Sequence, residues 1–507
     1  MTIARGLGYA TAMCVAVWMF GVAADSRAAE TQPTSAPAVS PQRVAALIAQ
    51  LGDASVTRRE QASRELAKVG LPAVAALRRA AVGDDPEIAA RAKLLLTAIP
   101  RAAIENDACL RWKAELPAGR NLGLVAAKDT AVFHGGDGKL HGLSLADGSQ
   151  KWEREWNVGN PFLSLLGDTL VCHSWGVPIL ALDPASGKVI WQSDVSHNGV
   201  DAGDGILIGF RRFTEGGPVE HCGLSLQNGS TLWRMNGDEV FGPHSRNGQV
   251  VCLTRDAFVF SMRYAENEKD KGWRNLVAVD PATGKKLWTV PEDSTSGGVS
   301  EGQLYLAARD EADPFFMRLT AYDLKTGQSR SIETSRLRPG GSSGHVQVAG
   351  NYVLYGGWEG VRVYDLTSGK WLWSYVLRKS DPVRKAREAV TADGTGFGRW
   401  VGFAPTDLPP VVHDGAAVLS RGDALLGVDL ATGAPRWKHP VNGVITWGPV
   451  ERGGVAYVIV YDIAEPANAK SAPCRLYAID LTKAALLNAD GEEVETTNEM
   501  GDLMRRE

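Results

Sequence analysis

Carboxylates are the first residues in this 507-residue chain whose type and spacing could do chemistry. Asp183, Asp280, Asp323, Asp365, Asp429 and Asp480 recur in similar surroundings, with Ser144 and Ser225 at the same place in two further stretches. A carboxylate can serve as a general base or hold a hard cation, but either task needs other groups converging on the same point. His134, His173, His221, His244, His345 and His413 are spread along the chain, and none has zinc-like spacing to a second ligand. They read as strand or loop histidines. Gly340-Gly-Ser-Ser-Gly344 looks like a phosphate loop, yet no Lys-Ser/Thr and helix follow it, so it reads as a connection.

The repeated carboxylates have a local use. In Ala181-Leu-Asp-Pro-Ala-Ser-Gly-Lys-Val-Ile-Trp191, Asp183 can accept from backbone N–H groups two residues on. Pro184 presets φ, and Gly187 takes the left-handed position that closes the loop. Apolar residues alternate on both sides, which predicts a hairpin. Four residues after each of the first seven Asp or Ser positions stands a glycine: Gly148, Gly187, Gly229, Gly284, Gly327, Gly369 and Gly433. Four further on come Trp152, Trp191, Trp233, Trp288, then Ser331 where Trp is lost, then Trp373 and Trp437. The eighth copy has Ala484 for glycine and no Trp behind it, whereas Trp112 stands at the front with no hairpin before it.

A period of this kind predicts a propeller or solenoid. A second turn signal precedes each copy, as in Gly167-Asp168 and Asn247-Gly248, so each unit has four strands. The expected fold class is all-β, an eight-bladed β-propeller preceded by a small α-helical module. The orphan Trp112 strand should pair with the strand ending at Asp480 and close the ring, removing its open edges.

The repeat resembles the PQQ-like β-propeller family over 107–485. That family includes quinoprotein dehydrogenases, which bind pyrroloquinoline quinone, and non-catalytic propellers such as the lipoprotein of the bacterial outer-membrane protein assembly machine. The resemblance carries the fold and says little about activity. Its enzymes use a vicinal cysteine pair, an acidic and amide cluster around calcium, and an aspartate base beside the quinone. This chain has no Cys-Cys and no Cys-x-x-Cys-His haem site, so no cofactor is expected. The alternative that the resemblance leaves open is a quinone-dependent dehydrogenase with a divergent pocket.

Residues 1–28 read as a secretory signal, with the basic residue Arg5 ahead of an apolar run from Leu7 to Ala24. A periplasmic or secreted protein follows from it. A disordered, Pro/Ser/Thr/Ala-rich linker is expected over 29–42. Helical periodicity then sets in over 43–100, with Arg58, Ala62, Leu66, Gly70, Pro72 and Leu77 placed as in HEAT repeats, which this stretch resembles. So short a solenoid should dock on the propeller or on a partner. Beyond the propeller, 486–507 reads as an acidic tail. The formal net charge of −4 gives no global field to recruit nucleic acid or a membrane. Cys109, Cys172, Cys222, Cys252 and Cys474 fall on different blades, which favours buried thiols over a disulfide framework.

Strand alternation puts the second-to-third connections and the links between blades on one side. The insertions gather there: 211–220, 262–275, 308–317, 462–473 and above all 376–409. Arg211, Arg212, Trp175, Trp273, Phe315, Phe316, Trp358, Arg384, Lys385, Arg387, Arg399 and Trp400 all belong to these connections. Aromatics with arginines suit a protein-recognition surface, and a protein partner is the expected ligand.

Overall fold

The computed structural model describes residues 40–487 and 495–496, apart from 106–107, 119–120, 157–160, 175–176, 198, 204–205, 213–218, 237–245, 265–272, 293–296, 310–316, 336–344, 358–359, 377–409, 421–423, 442 and 462–472. The signal-like segment and nearly all of the linker lie outside the described residues. No described helix is long and apolar enough to cross a membrane.

Four helices come first: α1 (Pro41–Gln50), α2 (Val56–Val69), α3 (Leu71–Ala80) and α4 (Pro86–Glu105). Their boundaries follow local chemistry. The Ser40 hydroxyl accepts from the Arg43 N–H at 3.3 Å, ahead of Pro41 in the first turn. Asp85 accepts from the Glu87 and Ile88 N–H groups at 2.9 and 3.0 Å, which caps α4. Between α2 and α3, Gly70 takes φ +71°, a conformation costly for any residue with a Cβ.

The chain forms two compact units. One is centred on Val158–Trp358 with Leu366–Lys370; the other takes the helices, the chain up to Asn157, Glu359–Asp365, and everything from Trp371 onward. The fold is an eight-bladed propeller of antiparallel sheets. In chain order β1 (Leu110–Leu116) is followed by the first blade, β2 (Leu122–Ala127), β3 (Thr130–His134), β4 (Lys139–Ser144) and β5 (Gln150–Glu155). The second is β6 (Phe162–Leu166), β7 (Thr169–His173), β8 (Val177–Leu182) and β9 (Val189–His197). The third is β10 (Gly199–Gly203), β11 (Ile206–Arg212), β12 (Val219–Ser225) and β13 (Thr231–Asn236). The fourth is β14 (Arg246–Leu253), β15 (Phe258–Tyr264), β16 (Trp273–Val279) and β17 (Lys286–Pro291). The fifth is β18 (Gly297–Ser300), β19 (Gln303–Arg309), β20 (Met317–Asp323) and β21 (Ser329–Ser335). The sixth is β22 (His345–Ala349), β23 (Tyr352–Gly357), β24 (Gly360–Asp365) and β25 (Lys370–Val376). The seventh is β26 (Val411–His413), β27 (Ala416–Ser420), β28 (Ala424–Asp429) and β29 (Pro435–Pro440). The eighth is β30 (Val444–Arg452), β31 (Val455–Tyr461) and β32 (Cys474–Asp480).

The eighth sheet has the order β1-β32-β31-β30, with Trp112 opposite Ala478 and Leu116 opposite Cys474. The orphan Trp112 strand thus completes the last blade, as expected. Where the eighth copy has Ala484 in place of glycine, no left-handed turn forms. A short helix α5 (Leu481–Ala484) follows instead, capped by Asp480, which accepts from the Lys483 N–H at 3.1 Å. A further strand, β33 (Glu495–Thr496), pairs with Trp373 and Ser374 and gives the sixth sheet a fifth strand.

The helices share their core with the second unit's blades. Leu47, Leu66, Val74, Leu77 and Ile99 pack in one cluster with Val418, Trp437, Ala456, Val458, Ile479, Leu481 and Leu487. Burying each such aliphatic stabilises by about 1.5–3 kcal/mol. Arg78 adds a polar tie, donating from Nη2 to the Leu487 carbonyl at 2.8 Å. The helical segment is therefore seated on the propeller, which leaves the seventh and eighth blades and α5 covered on that side.

Candidate functional site

Asp183, Asp280, Asp323 and Asp429 are consumed by their own turns. Gly187 N–H donates to the Asp183 carbonyl at 2.8 Å, and the same bond recurs at Gly284 to Asp280 and Gly327 to Asp323, each 2.8 Å. The side chains cap the loop: Asp280 and Asp429 each accept from two N–H groups just downstream, at 2.8–3.0 Å. Asp323 is held below the usual carboxylate range by the Thr326 hydroxyl and N–H. For Asp429, burial pushes upward and is outweighed by Arg436 and Thr432, so its net shift is also downward.

Each turn is also half of a joint between blades. The indole N–H of Trp191 donates to the Leu226 carbonyl at 2.7 Å, Trp233 to Pro281 at 2.7 Å and Trp288 to Leu324 at 2.8 Å. In the second unit Trp112 donates to Leu145 at 2.8 Å and Trp373 to Leu430 at 2.9 Å. The Trp233 ring lies between two glycines: a Cβ on Gly223 of its own blade would come 2.3 Å from the ring, and one on Gly284 of the next blade 2.7 Å. A Cβ would collide at either contact.

Of the residues proposed for partner recognition, Arg211 and Arg212 end β11, opposite Glu220 and Val219, and Trp273 begins β16 opposite Tyr264. All three flank second-to-third connections, as the strand count requires. Trp175, Phe315, Phe316, Trp358, Arg384, Lys385, Arg387, Arg399 and Trp400 lie outside the described residues. His134 and His173 end second strands, His221 lies in β12, and His413 ends β26. His345 begins β22, and His244 lies outside the described residues.

A polar cluster not anticipated from the sequence sits at the corresponding end of the first and eighth blades. His141 Nε2 lies 3.0 and 3.1 Å from the two Asp137 carboxylate oxygens, and the imidazole stacks on Phe133 with centroids 5.2 Å apart. Burial pushes the Asp137 pKa up, but hydrogen bonds from His141 and the Lys139 N–H outweigh it and leave the group lowered. Gly135 makes room, since a Cβ there would come 2.5 Å from Asp137 and 2.7 Å from His141. Beside this pair, Gly136 N–H donates to the Asn121 side-chain carbonyl at 3.2 Å, and Asn121 N–H donates to the Tyr461 hydroxyl at 2.8 Å. Burial raises the Tyr461 pKa and pushes the Cys474 thiol up to about 12. A neutral, protonated thiol is no nucleophile. The cluster ties the chain entering β2 to the ends of β31 and β3. Asp137 and His141, four residues apart around Gly138, were the only trace of it in the sequence.

A buried carboxylate, Glu292, accepts from Arg318 Nη2 and from the Tyr322 hydroxyl, both at 2.7 Å. It fastens the end of the fourth blade to β20 of the fifth. Both oxygen-rich clusters therefore act as clamps between neighbouring blades.

Among the described residues no three His, Cys, Asp or Glu side chains converge as a metal cage would require. The five described cysteines are buried and none is in a disulfide; Cys109 directly precedes β1 and Cys474 begins β32, so these two share the eighth blade rather than lying on different ones.

The family described as outer membrane protein assembly factor BamB, built on PQQ-like repeats, matches residues 53–206 and 219–397. Among solved structures, the computationally designed Ika8 protein is 14% identical, covers 73% of this chain and 99% of its own, and superposes with a TM-score of 0.51. BamB from Moraxella catarrhalis is 14% identical over 71% of this chain and 99% of that one, with a TM-score of 0.44. Quinohemoprotein alcohol dehydrogenase from Comamonas testosteroni is 13% identical over 76% and 77%, with a TM-score of 0.46. Such likeness concerns the fold alone. No curated protein matches the chain. The family match extends over more than half of the sequence, and the chain belongs to that family.

Proposed function

We propose that this propeller is a non-catalytic, protein-binding scaffold, exported to the periplasm or cell envelope, whose partner docks on the face that carries the second-to-third connections and the links between blades. The observation that carries the reading is how the described framework uses its ionisable groups. Asp280, Asp323 and Asp429 are spent inside their own turns, Glu292 on a clamp between two blades, and Asp137 on a pair with His141 within the first blade. The insertions that exceed what a blade needs fall at the other end of the strands, where a rigid scaffold usually carries function. Membership in a family described as an outer membrane protein assembly factor supports a partner in that process. The apolar run near the N-terminus supports export.

The cation-rich connection with Arg384, Lys385, Arg387 and Arg399 favours a partner of acidic or amphipathic character, steered by charge and anchored by Trp358 and Trp400. The test has two arms. Immobilised full-length chain is challenged with envelope extract, and captured proteins are compared with those on a triple variant with Glu at 384, 385 and 387. In parallel, the purified chain is mixed with pyrroloquinoline quinone, calcium, alcohols or sugars and an artificial electron acceptor. Capture that the triple variant loses, without dye reduction, supports the scaffold. Turnover in the dye assay would replace it by the quinone-dependent dehydrogenase.

A further inference from the structure

The outer strand of each blade is an edge, and the blades treat that edge in two ways. Six blades carry a β-bulge at the residue before the Trp position, because Trp pairs with one residue of the third strand and the next pair skips a residue. In the first, seventh and eighth blades the bulged residue is a cation tied to a carboxylate: Lys151 to Asp129 at 2.7 Å, Arg436 to Asp429, and Arg111 to Asp480 at 3.2 Å. Charge and bulge together are how sheets protect an edge from further pairing. In the second, third and fourth blades the same position holds Ile190, Leu232 and Leu287, exposed to 51%, 49% and 41%. These three edges keep the bulge and lack the charge.

The sixth blade shows what such an edge can take. Its equivalent residue is Leu372, and immediately after it the backbone of Trp373 and Ser374 pairs with Thr496 and Glu495 of β33. The added strand comes from the acidic stretch Glu492-Glu-Val-Glu-Thr-Thr497, and the edge it joins carries Lys370 three residues before Trp373. The second and fourth blades repeat that lysine at the same distance, as exposed Lys188 and Lys285. Gln192, Arg234 and Thr289 follow the three tryptophans on exposed stretches of strand, and no described strand pairs outside β9, β13 or β17.

We infer that the outer edges of the second, third and fourth blades accept an added antiparallel strand from a partner protein. The strand is an extended, acidic segment with interspersed apolar residues. It pairs just past the bulge and covers Ile190, Leu232 and Leu287. Backbone pairing supplies the affinity, the exposed aliphatics supply an apolar contact, and Lys188 and Lys285 select for negative charge. This surface is separate from the second-to-third connections, so it stands whether or not the partner proposed above docks there.

The probe is a synthetic peptide of residues 488–499, the chain's own example of an edge-pairing segment, added to the full-length protein. Hydrogen exchange read by mass spectrometry should show at least tenfold slowing at Gln192, Arg234 and Thr289. A variant carrying Ile190→Lys, Leu232→Lys and Leu287→Lys copies the protected blades at exposed positions. It should melt like the parent and bind the peptide at least tenfold more weakly. Protection confined to β25, no binding, or unchanged affinity in the triple variant would overturn the inference. Protection that grows with protein concentration in the absence of peptide would assign the edges to a second copy of the chain and overturn the partner reading as well. If the triple variant melts early, single Lys188→Glu and Lys285→Glu variants decide the matter: unchanged peptide affinity in both overturns the charge-selected edge, and weakened binding supports it.

Discussion

In the fourth blade Trp288 stands eight residues after Asp280, and in the fifth Ser331 stands at the same distance after Asp323. The turns of the two blades are alike: Gly284 and Gly327 have φ near +70°, and each donates to its aspartate carbonyl at 2.8 Å. The joints differ. Trp288 reaches the Leu324 carbonyl of the next blade, whereas Ser331 has no ring to lay over its neighbour. The bulge moves too. Leu287 is skipped in the fourth blade, but in the fifth Arg330 pairs with Ala321 and the skipped residue becomes Ile332. The turn is thus specified by Asp and Gly alone, while outer-strand register follows the Trp, because a ring seated on the next blade decides which residue must face it.

Removing 109–115 would sharpen that comparison most, since it takes away both a strand and a joint. The eighth blade would keep three strands, β32 would become an open edge, and cooperative unfolding in calorimetry should be lost or give way to aggregation. Next in size, Trp288→Ala should destabilise by about 3–5 kcal/mol in urea titrations, through the buried ring and its hydrogen bond. The matching Ser331→Ala should stay within about 0.5 kcal/mol. If both cost the same, the Trp joint does not set blade cohesion.

Glu292 tests whether the fourth-to-fifth joint depends on its polar clamp as well. Glu292→Gln leaves Arg318 without its carboxylate and should cost about 1–3 kcal/mol at pH 7, measured by the same titration.

His221, packed edge-on against Phe260 of the following blade at 4.9 Å, makes the third-to-fourth joint pH-sensitive. Burial pushes its pKa down to about 3. Between that value and the unfolded value of about 6.5 the unfolded chain binds the extra proton, so stability falls as pH falls through this window. The slope approaches about 1.4 kcal/mol per pH unit for the single group. His221→Gln should reduce the slope of unfolding free energy against pH between about 4 and 6. An unchanged slope would mean that His221 does not titrate on unfolding.

Asp280→Ala should cost only about 1 kcal/mol, because the turn loses a side-chain cap and keeps its backbone bond. A larger loss would show that the turn is less self-sufficient than its likeness in two different blades suggests.

Much of the architecture was legible because it is written in short, repeated signals. The Asp-x-x-x-Gly turn, the Trp four residues on and the unmatched Trp112 foretold the sheets and their closure, and the helices begin and end where Ser40, Gly70 and Asp85 direct. The clamps were not legible. Glu292 and Arg318 are 26 residues apart, and Asn121 and Tyr461 340, so no local pattern marks them. The candidate recognition residues were assigned by counting strands, which for Arg211, Arg212 and Trp273 agrees with their places beside second-to-third connections and says nothing about how side chains meet.

By itself, then, the sequence determined the hairpin turns, the number of blades, the pairing that completes the last one and the identity of the helices. Each of these depends on backbone conformations that a few neighbouring residues enforce. Only the tertiary structure decided that the helices seat against the seventh and eighth blades and α5, that β33 joins β25, and that a bulge sets apart the residue before six of the tryptophans. The physical reason is common to all three. Which surface covers which depends on apolar area and unpaired edge strands brought together by the fold, and neither has a signature within a single stretch of chain.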